Sequence, residues 1–294
     1  MKIFILGGTG TIGTGLIREL VTRGYAVTGL SRSKTADQKL IQEGVQPLRG
    51  DLGAPEGWAD HAVSFDAVIH VADTFDDTMA EIDEHLTTTL ISAASQRQSP
   101  LRLLYTGGCW LYGATGDQVA TEESPFVPLS AFNWMIAGQR KLLSSPHLSC
   151  VVLHPAMVYD ENGGVFEKFL NNARQGNDFE VWGSDQTRWP LVERSDLARA
   201  YAELLDHPEL SGHFNVTSQD GVKVGDIISA IAQRYGLPKK MKIRSVEDLV
   251  EEYGSWAEGP TIDQQMSSQK LQSLTQWWPR YTDFRTSPLF NRPI

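Results

Sequence analysis

The chain turns at Gly7-Gly8-Thr9-Gly10-Thr11-Ile12-Gly13, directly after the apolar run Ile3 to Leu6. Ile12, Leu16 and Leu20 then place apolar side chains on one face of a helix. A glycine-rich turn between a buried strand and an amphipathic helix is typical of a dinucleotide-binding βαβ unit. An ordinary glycine-rich turn is the alternative, but such a turn does not require this strand and this helix on either side.

The glycines of this turn have separate steric roles. Gly7 permits the tight turn, Gly10 lets the backbone approach a pyrophosphate, and Gly13 lets the helix lie close to the strand. The backbone N–H groups of the first helical residues face the bound anion, and the helix dipole adds to the attraction. We therefore expect a nicotinamide dinucleotide to contact Gly7, Thr9, Gly10, Thr11, Ile12 and Gly13.

The residues after the second predicted strand indicate which dinucleotide is bound. An NAD-specific site usually places an acidic residue there to accept from the ribose 2′-hydroxyl, whereas this chain has Ser31-Arg32-Ser33-Lys34. Arg32 can pair with a 2′-phosphate, and Ser31 and Ser33 can donate hydrogen bonds to it. The sequence favours NADP, with NAD as the alternative cofactor and a solvated basic turn as the alternative structure.

Short apolar runs alternate with longer amphipathic stretches in the first half of the chain. This pattern predicts an α/β fold with a parallel sheet. We predict a Rossmann domain over 1–160 with a return segment over about 191–217, and a smaller, partly interleaved substrate domain over about 161–190 and 218–294. The predicted strands are Ile3 to Leu6, Ala26 to Leu30, Val45 to Arg49, Ala67 to Val71, Leu101 to Thr106, Cys150 to Leu153 and His213 to Val216; the later helices are Val165 to Arg174, Leu197 to Leu205 and Val224 to Tyr235.

The composition excludes several classes of partner. A formal net charge of −10 over 294 residues argues against a nucleic-acid or anionic-membrane surface and favours a small-molecule substrate. No apolar stretch is long enough to span a membrane. The two cysteines, Cys109 and Cys150, provide no disulfide framework, so a reducing compartment, the cytoplasm, is expected.

Further motifs make the chain resemble the extended short-chain dehydrogenase/reductase superfamily, in its epimerase/dehydratase group. The resemblance implies a doubly wound parallel sheet, a C-terminal substrate domain over the cofactor cleft, and a homodimer. It also implies that Asp51 and Leu52 lie near the adenine, and that Val71, Ala72 and Pro155 line the cofactor cleft. The motifs, besides the glycine turn, are Asp51-Leu52, Val68-Ile69-His70-Val71-Ala72, Trp110-Leu111-Tyr112-Gly113, Leu153-His154-Pro155-Ala156-Met157-Val158-Tyr159, Arg188-Trp189-Pro190-Leu191-Val192 and Ser195-Asp196-Leu197-Ala198.

The chain departs from this family at the catalytic residues, which are a Ser or Thr, a Tyr, and a Lys four residues after the Tyr. The hydroxyl position falls on Gly108, the Tyr position near Phe132 to Trp134, and the Lys position near Ile136 or Ala137. None of these residues can transfer a proton as the family Tyr does. The chain therefore resembles the atypical branch, which contains reductases, lyase-like or isomerase-like enzymes, and cofactor-binding regulators.

A substitute proton donor is predicted among the remaining hydroxyl groups near the cleft. We rank Tyr112 first, Thr106 second and Tyr159 third, because they follow the fifth strand or flank Pro155. Packing without a chemical role is the alternative for the two tyrosines. Cys109 is interpreted as a small buried side chain.

Aromatic residues predict the character of the substrate pocket. Trp110 and Trp134, with Trp182, Trp189 and Phe132, suit an apolar or aromatic metabolite, or else fill a core between the two domains. Arg188 either holds a substrate diphosphate, as the resemblance implies, or forms a surface salt bridge. The acidic run 73–77 is interpreted as a solvated loop, with attraction of a cationic substrate as the alternative.

Three functions are compatible with these residues. The first is an NADP-dependent oxidoreductase that reduces a small carbonyl-type compound, and we favour it. The second is a non-catalytic NADP-binding sensor, suggested by the missing catalytic residues. The third is a relative of the nucleotide-sugar epimerases and dehydratases, which the same absence disfavours.

Overall fold

The strands and helices of the computed structural model alternate along the first half of the chain. The model describes residues 1–73, 76 and 78–292. The strands are β1 Lys2–Leu6, β2 Ala26–Ser31, β3 Gln46–Arg49, β4 Ala67–His70, β5 Leu101–Thr106, β6 Leu148–Pro155, β7 Met157–Tyr159, β8 Phe179–Trp182, β9 Arg188–Glu193, β10 Gly212–Val216, β11 Gln219–Lys223 and β12 Met241–Arg244. The helices are α1 Thr11–Thr22, α2 Lys34–Gln42, α3 Ala59–Ala62, α4 Met79–Ala94, α5 Trp134–Ser144, α6 Glu167–Gln175, α7 Arg194–Asp206, α8 Val224–Tyr235, α9 Val246–Tyr253, α10 Gln269–Leu274 and α11 Pro288–Asn291.

The central element is a seven-stranded sheet in the order β10-β6-β5-β4-β1-β2-β3, and every neighbouring pair is parallel. The order reverses between β1 and β4, where the chain crosses from one half of the sheet to the other. A crevice at the carboxyl ends of the strands, at such a reversal, is where open α/β sheets bind their ligands. The predicted doubly wound parallel sheet is confirmed.

Both faces of this sheet are buried, which explains the continuous apolar runs of its strands. On β1, Ile3 and Ile5 pack in the layer that contains α1 and α7. The alternate residues Phe4 and Leu6 pack in the opposite layer, with α4 and α5. A single apolar strand therefore supplies both hydrophobic layers.

The predicted elements agree closely with the observed ones, and α8 has the predicted bounds. Two differences have local causes. Helix α7 begins at Arg194, three residues earlier than predicted, because the Glu193 side chain caps it by accepting from the Ser195 N–H. Strand β6 extends beyond the predicted Cys150 to Leu153 at both ends. Its residues 148–153 pair with β5 and its residues 151–155 pair with β10.

The later part of the chain forms two smaller sheets and also returns to the large one. Strands β11, β9 and β7 form one small sheet, and β12 and β8 form the other. Helix α7 and strand β10 lie between β9 and β11 in sequence. Strand β10 is an edge strand of the seven-stranded sheet, and α7 packs on α1. Exact domain boundaries remain a prediction. No helix in the described part of the chain has the length and apolar character needed to cross a membrane.

Candidate active site and cofactor cleft

The first and last glycines of the turn pack tightly against neighbouring backbone atoms. Gly7 has a positive φ of 87°, and a Cβ there would lie 2.7 Å from the backbone of Ala72. A Cβ at Gly13 would lie 2.1 Å from the Gly7 carbonyl oxygen, so no larger residue fits between α1 and β1. A Cβ at Gly10 would come no closer than 3.5 Å to any neighbour. Gly10 therefore has open space beside its Cα, from which a ligand can approach the backbone.

A cavity of about 500 Å³ lies beside this turn and is called here the nucleotide cavity. Thr11, Gly13, Lys34 and Asp51 are not among its lining residues, and the Asp51 carboxylate instead accepts from the Gly53 N–H at 2.8 Å. Lys39 does line the cavity and was missed; it lies one turn after Thr35 and Ala36, which also line the cavity. The predicted residues that line it are Gly7, Thr9, Gly10, Ser31, Arg32, Ser33, Leu52, Val71 and Ala72.

Arg32 is exposed at the edge of the nucleotide cavity and forms no ion pair among the described residues. The two serines beside it are partly engaged. Ser33 caps α2 by accepting from the Ala36 N–H, and the Ser31 hydroxyl donates to the Ser33 carbonyl. Arg32 therefore retains its full hydrogen-bonding capacity for an anion in the cavity.

A second cavity of about 320 Å³, called here the substrate cavity, adjoins the first and shares Val71 to Asp73 with it. Trp110 and Phe132 form its aromatic side, with ring centroids 5.3 Å apart. Its lining is mainly apolar and includes predicted residues Ile12, Thr106, Trp110, Phe132 and Pro155 with unpredicted residues Met135, Met157, Val158 and Val165. The sequence did not indicate that Met135 and Met157 line the same cavity, because more than 20 residues separate them along the chain.

Of the three predicted proton donors, Thr106 is the one that lines the substrate cavity. Its hydroxyl donates to the His70 carbonyl oxygen at 2.6 Å and lies 2.6 Å from the Tyr201 hydroxyl. Because Thr106 has a single proton, Tyr201 is the donor in the second bond. Tyr201 lies on α7, 95 residues away in sequence, so no local pattern could have indicated this pair.

The two predicted tyrosines lie elsewhere. Tyr112, ranked first from the sequence, is buried, and its hydroxyl donates to the Asn215 side-chain oxygen at 2.7 Å. Tyr159 is fully buried against Phe166, with ring centroids 4.9 Å apart. Burial raises the pKa of both hydroxyls above their usual range, and neither residue lines the substrate cavity. Thr106 therefore reaches the substrate cavity, whereas the side chains of Tyr112 and Tyr159 turn toward the core.

Gly108 and Cys109 complete the turn after β5. A Cβ at Gly108 would meet no atom within 4 Å. Gly108 therefore leaves open space at the position where the family has a hydroxyl side chain. Cys109 lines the substrate cavity, but burial raises the pKa of its thiol to about 12. The thiol is therefore protonated at neutral pH and is a poor nucleophile.

Trp134 lies outside the substrate cavity. Its indole N–H donates to the Ala131 carbonyl at 3.0 Å, and its ring lines a small space of about 30 Å³. In that space His70 Nε2 lies 3.2 Å from the Asp83 carboxylate. Trp182 and Trp189 are packing residues, since Trp182 stacks on Tyr253 and Trp189 stacks on Phe169.

Arg188 is paired with two carboxylates. Its guanidinium lies 2.5 Å from Asp263 and 3.0 Å from Asp117. Both carboxylates raise the Arg188 pKa, and Arg188 in turn lowers the Asp263 pKa. Arg188 does not line the substrate cavity, so the geometry favours the salt-bridge alternative.

Asp263 belongs to residues 255–266, a segment called here the strap. The Gln264 side chain donates to the Cys109 and Gly113 carbonyls at 2.9 and 2.7 Å, and the Trp189 indole donates to the Pro260 carbonyl. A Cβ at Gly259 would lie 2.5 Å from the Trp110 ring. The strap thus packs against Trp110, whose side chain lines the substrate cavity.

The acidic run 73–77 is only partly described. Asp73 lines both cavities, and Asp76 lines the nucleotide cavity. Thr74, Phe75 and Asp77 lie outside the described residues. Within the described ranges, no group of three or more His, Cys, Asp or Glu side chains is arranged to hold a metal ion.

Comparison with known proteins identifies similar chains. The model of the NAD dependent epimerase/dehydratase family matches residues 3–217. The 2-alkyl-3-oxoalkanoate reductase of Stenotrophomonas maltophilia is 25% identical over 81% of this chain and 77% of its own. Among solved structures, Thermus thermophilus UDP-glucose 4-epimerase in complex with NAD has a TM-score of 0.83 at 22% identity, with 99% of this chain and 97% of that chain covered. A human epimerase family protein with NADPH has a TM-score of 0.81 at 18% identity, with 98% of both chains covered.

Proposed function

Because the chain belongs to the NAD-dependent epimerase/dehydratase family, within the extended short-chain dehydrogenase/reductase superfamily, we propose that it is an NADP-dependent reductase of a small, apolar or aromatic carbonyl compound. The observation that carries the proposal is the pairing of two adjoining cavities of opposite character. One has Arg32 at its edge, without an ion pair among the described residues, and the other is lined mainly by apolar side chains.

The glycine turn fits a dinucleotide. Close packing at Gly7 and Gly13 leaves no room for a Cβ, while Gly10 leaves its ligand-facing side open. Backbone N–H groups at the start of α1 would hold the pyrophosphate, and Arg32 would hold a 2′-phosphate. Solved neighbours bind NAD in one case and NADPH in another, which supports a nicotinamide cofactor. Arg32 and the missing acidic residue after β2 support NADP.

When bound, the reduced cofactor supplies a hydride. The residues of this chain position the substrate: Trp110 and Phe132 accept an apolar or flat body, and the strap packs against the Trp110 ring. Thr106 would hold the substrate oxygen and give it a proton as charge develops there. Tyr201 already donates to the Thr106 oxygen and holds that hydroxyl in place.

The same geometry disfavours a nucleotide-sugar substrate. Arg188, the cation that would hold a diphosphate, already forms a bidentate pair with Asp263 and contacts Asp117. A bound diphosphate would have to displace both carboxylates. Phe132 also lies near the position of the catalytic Tyr of the family, and its side chain cannot transfer a proton.

A non-catalytic NADP sensor is the second candidate, and the hydrogen bonding of Thr106 favours it. The hydroxyl proton is committed to the His70 carbonyl, so proton transfer to a substrate must first break a 2.6 Å hydrogen bond. A sensor requires cofactor binding without such a transfer.

The experiment that separates the two candidates is an NADPH-consumption assay with purified full-length protein. The panel should contain 3-oxo acids and esters, aryl ketones, aldehydes and quinones. A separate arm contains UDP-glucose and NAD⁺ and is analysed for the sugar product itself, because epimerisation consumes no NADPH. The proposal predicts turnover with compact apolar carbonyl compounds, a preference for NADPH over NADH, and no conversion of UDP-glucose. NADPH binding without turnover on the whole panel would support the sensor, and epimerisation of UDP-glucose would overturn both.

A further inference from the structure

Two neighbouring glycines in the turn after β5 have opposite surroundings. The Gly107 N–H donates to the Leu153 carbonyl at 2.7 Å, so the pairing with β6 continues one residue beyond the strand. Gly108 is extended, with φ −175° and ψ 158°. A Cβ at Gly107 would lie 2.5 Å from the His154 ring, whereas a Cβ at Gly108 would meet no atom within 4 Å apart from its chain neighbours. Gly108 therefore borders open space on the side where a side chain would stand.

This open space lies on the same face of the segment as Thr106. Successive residues of an extended chain point to opposite faces. The Thr106 hydroxyl contacts Tyr201 on α7, and a Cβ at Gly107 would point the other way, toward Gln139 on α5. Thr106 and Gly108 both line the substrate cavity, and residues two apart on an extended chain are separated by roughly 6–7 Å. The space is thus close to the hydroxyl that would hold the substrate oxygen.

A water molecule is a poor occupant of this space. A buried water normally bonds to about two to four polar partners, and no such partner lies within 4 Å of a Cβ at Gly108 beyond the chain neighbours. The Thr106 hydroxyl already bonds to the His70 carbonyl and to Tyr201. The thiol of the next residue, Cys109, is protonated and bonds only weakly. An apolar group therefore suits the space better than water does.

We propose that the substrate is a ketone and that its smaller alkyl group occupies the space beside Gly108, an inference that rests on the proposed reductase function. With the carbonyl oxygen at the Thr106 hydroxyl, the larger group contacts Trp110 and Phe132. In an aldehyde the second group is a hydrogen atom, which leaves the space unfilled and forfeits dispersion contacts. Hydride addition to the carbonyl carbon and protonation of its oxygen give a secondary alcohol, with NADPH oxidised to NADP⁺.

Three aryl carbonyl compounds that differ in the second group test this inference: benzaldehyde, acetophenone and propiophenone. Calorimetry with the full-length protein and saturating NADP⁺ measures their affinity, because the oxidised cofactor cannot reduce them. In the wild type each added carbon should tighten binding by about three- to fourfold. Gly108→Ala places a methyl group in the space, so its loss of affinity should be at least about tenfold greater for propiophenone than for benzaldehyde. The kcat/KM values with NADPH should show the same difference.

Gly57→Ala is the matched control. A Cβ at Gly57 also meets no atom within 4 Å, and Gly57 lines neither cavity, so this variant should keep the wild-type dependence on substrate size. Gly108→Ala should unfold near the wild-type temperature, because its backbone is extended and its Cβ meets no neighbour. An equal loss for all three compounds in Gly108→Ala, or weaker wild-type binding with each added carbon, would overturn the inference.

The ketone site and the reductase function can fail separately. Size-dependent binding without any NADPH consumption would support the ketone site and overturn the reductase function. NADPH consumption without the size dependence would support the reductase function and overturn the ketone site. The absence of binding of all three compounds would also overturn the ketone site.

Discussion

The Arg188 guanidinium lies against the Asp263 carboxylate in a bidentate pair, with Nε 2.9 Å from Oδ1 and Nη2 2.5 Å from Oδ2. The backbone N–H of Arg188 also donates to Oδ1 at 2.7 Å. A single carboxylate thereby connects β9 to the strap, 75 residues later in the chain. The same segment packs against Trp110, which lines the substrate cavity.

Breaking this pair is expected to loosen the strap. Arg188→Gln and Asp263→Asn should each increase hydrogen exchange at the Gln264 and Met266 amides, because those N–H groups bond to chain segments that the pair aligns. The double variant should exchange no faster than the more affected single variant, since both remove the same interaction. Arg285→Gln, which breaks an exposed pair with Asp283, is the matched control. Unchanged exchange in both single variants would show that the pair does not hold the strap.

The cofactor preference is expected to depend on Arg32. Removing its charge-assisted contact with a 2′-phosphate costs roughly 1.5–3 kcal/mol, so Arg32→Ala should weaken NADPH binding by about ten- to hundredfold. NADH affinity should not change. Lys34→Ala is the control, because Lys34 does not line the nucleotide cavity. Calorimetry that gives equal NADH and NADPH affinities for the wild-type protein would refute the assignment of NADP.

Two glycines of the turn are expected to respond differently to substitution. Gly13→Ala places a Cβ 2.1 Å from the Gly7 carbonyl and should lower the thermal unfolding temperature of the free protein. Gly10→Val meets no such contact, so it should unfold near the wild-type temperature while losing NADPH binding. Calorimetry and thermal unfolding of both variants measure the difference. Micromolar NADPH binding by Gly10→Val would contradict the assignment of the turn.

The proton donor is tested by a pair of hydroxyl deletions. With a substrate from the assay panel, Thr106→Val should lower kcat by about 10²-fold, whereas Thr106→Ser should retain most of it. Tyr112→Phe should leave kcat nearly unchanged and destabilise the fold by about 1–3 kcal/mol, because it leaves the buried Asn215 oxygen unpaired. The reverse pattern of kcat values would restore Tyr112 as the donor.

His154 is expected to make folding sensitive to mild acid. Burial, with the nearby His213 as a smaller cause, lowers its pKa from 6.5 to about 3. Between those values the unfolded chain binds a proton that the folded chain does not, so stability is full above pH 6.5 and falls as the pH decreases toward 3. The slope from one such proton is at most about 1.4 kcal/mol per pH unit.

Urea unfolding at about pH 7 and pH 5 measures this dependence. His154→Leu should show a smaller loss of stability between the two pH values than wild type. His61→Gln, which alters an exposed histidine, should show the wild-type loss. An equal pH dependence in His154→Leu and wild type would mean that another group is responsible.

The sequence alone predicted the sheet and the cofactor turn because both depend on local patterns. The apolar runs in β1 and β4 indicate strands that are buried on both faces. The glycine spacing indicates a turn in which Cβ atoms do not fit. Arg32 could be placed at the end of β2 for the same reason, since that strand could be recognised in the sequence. These predictions need only neighbours within one βαβ unit.

The tertiary structure alone decided which side chains face the substrate cavity. Tyr112 and Thr106 are six residues apart, yet one hydroxyl turns to Asn215 on β10 and the other to Tyr201 on α7. The carboxylate partners of Arg188 likewise lie on chain segments that are distant in sequence. Side-chain direction and hydrogen-bond partners at the ends of the strands are set by long-range packing, which has no periodic signature in the sequence.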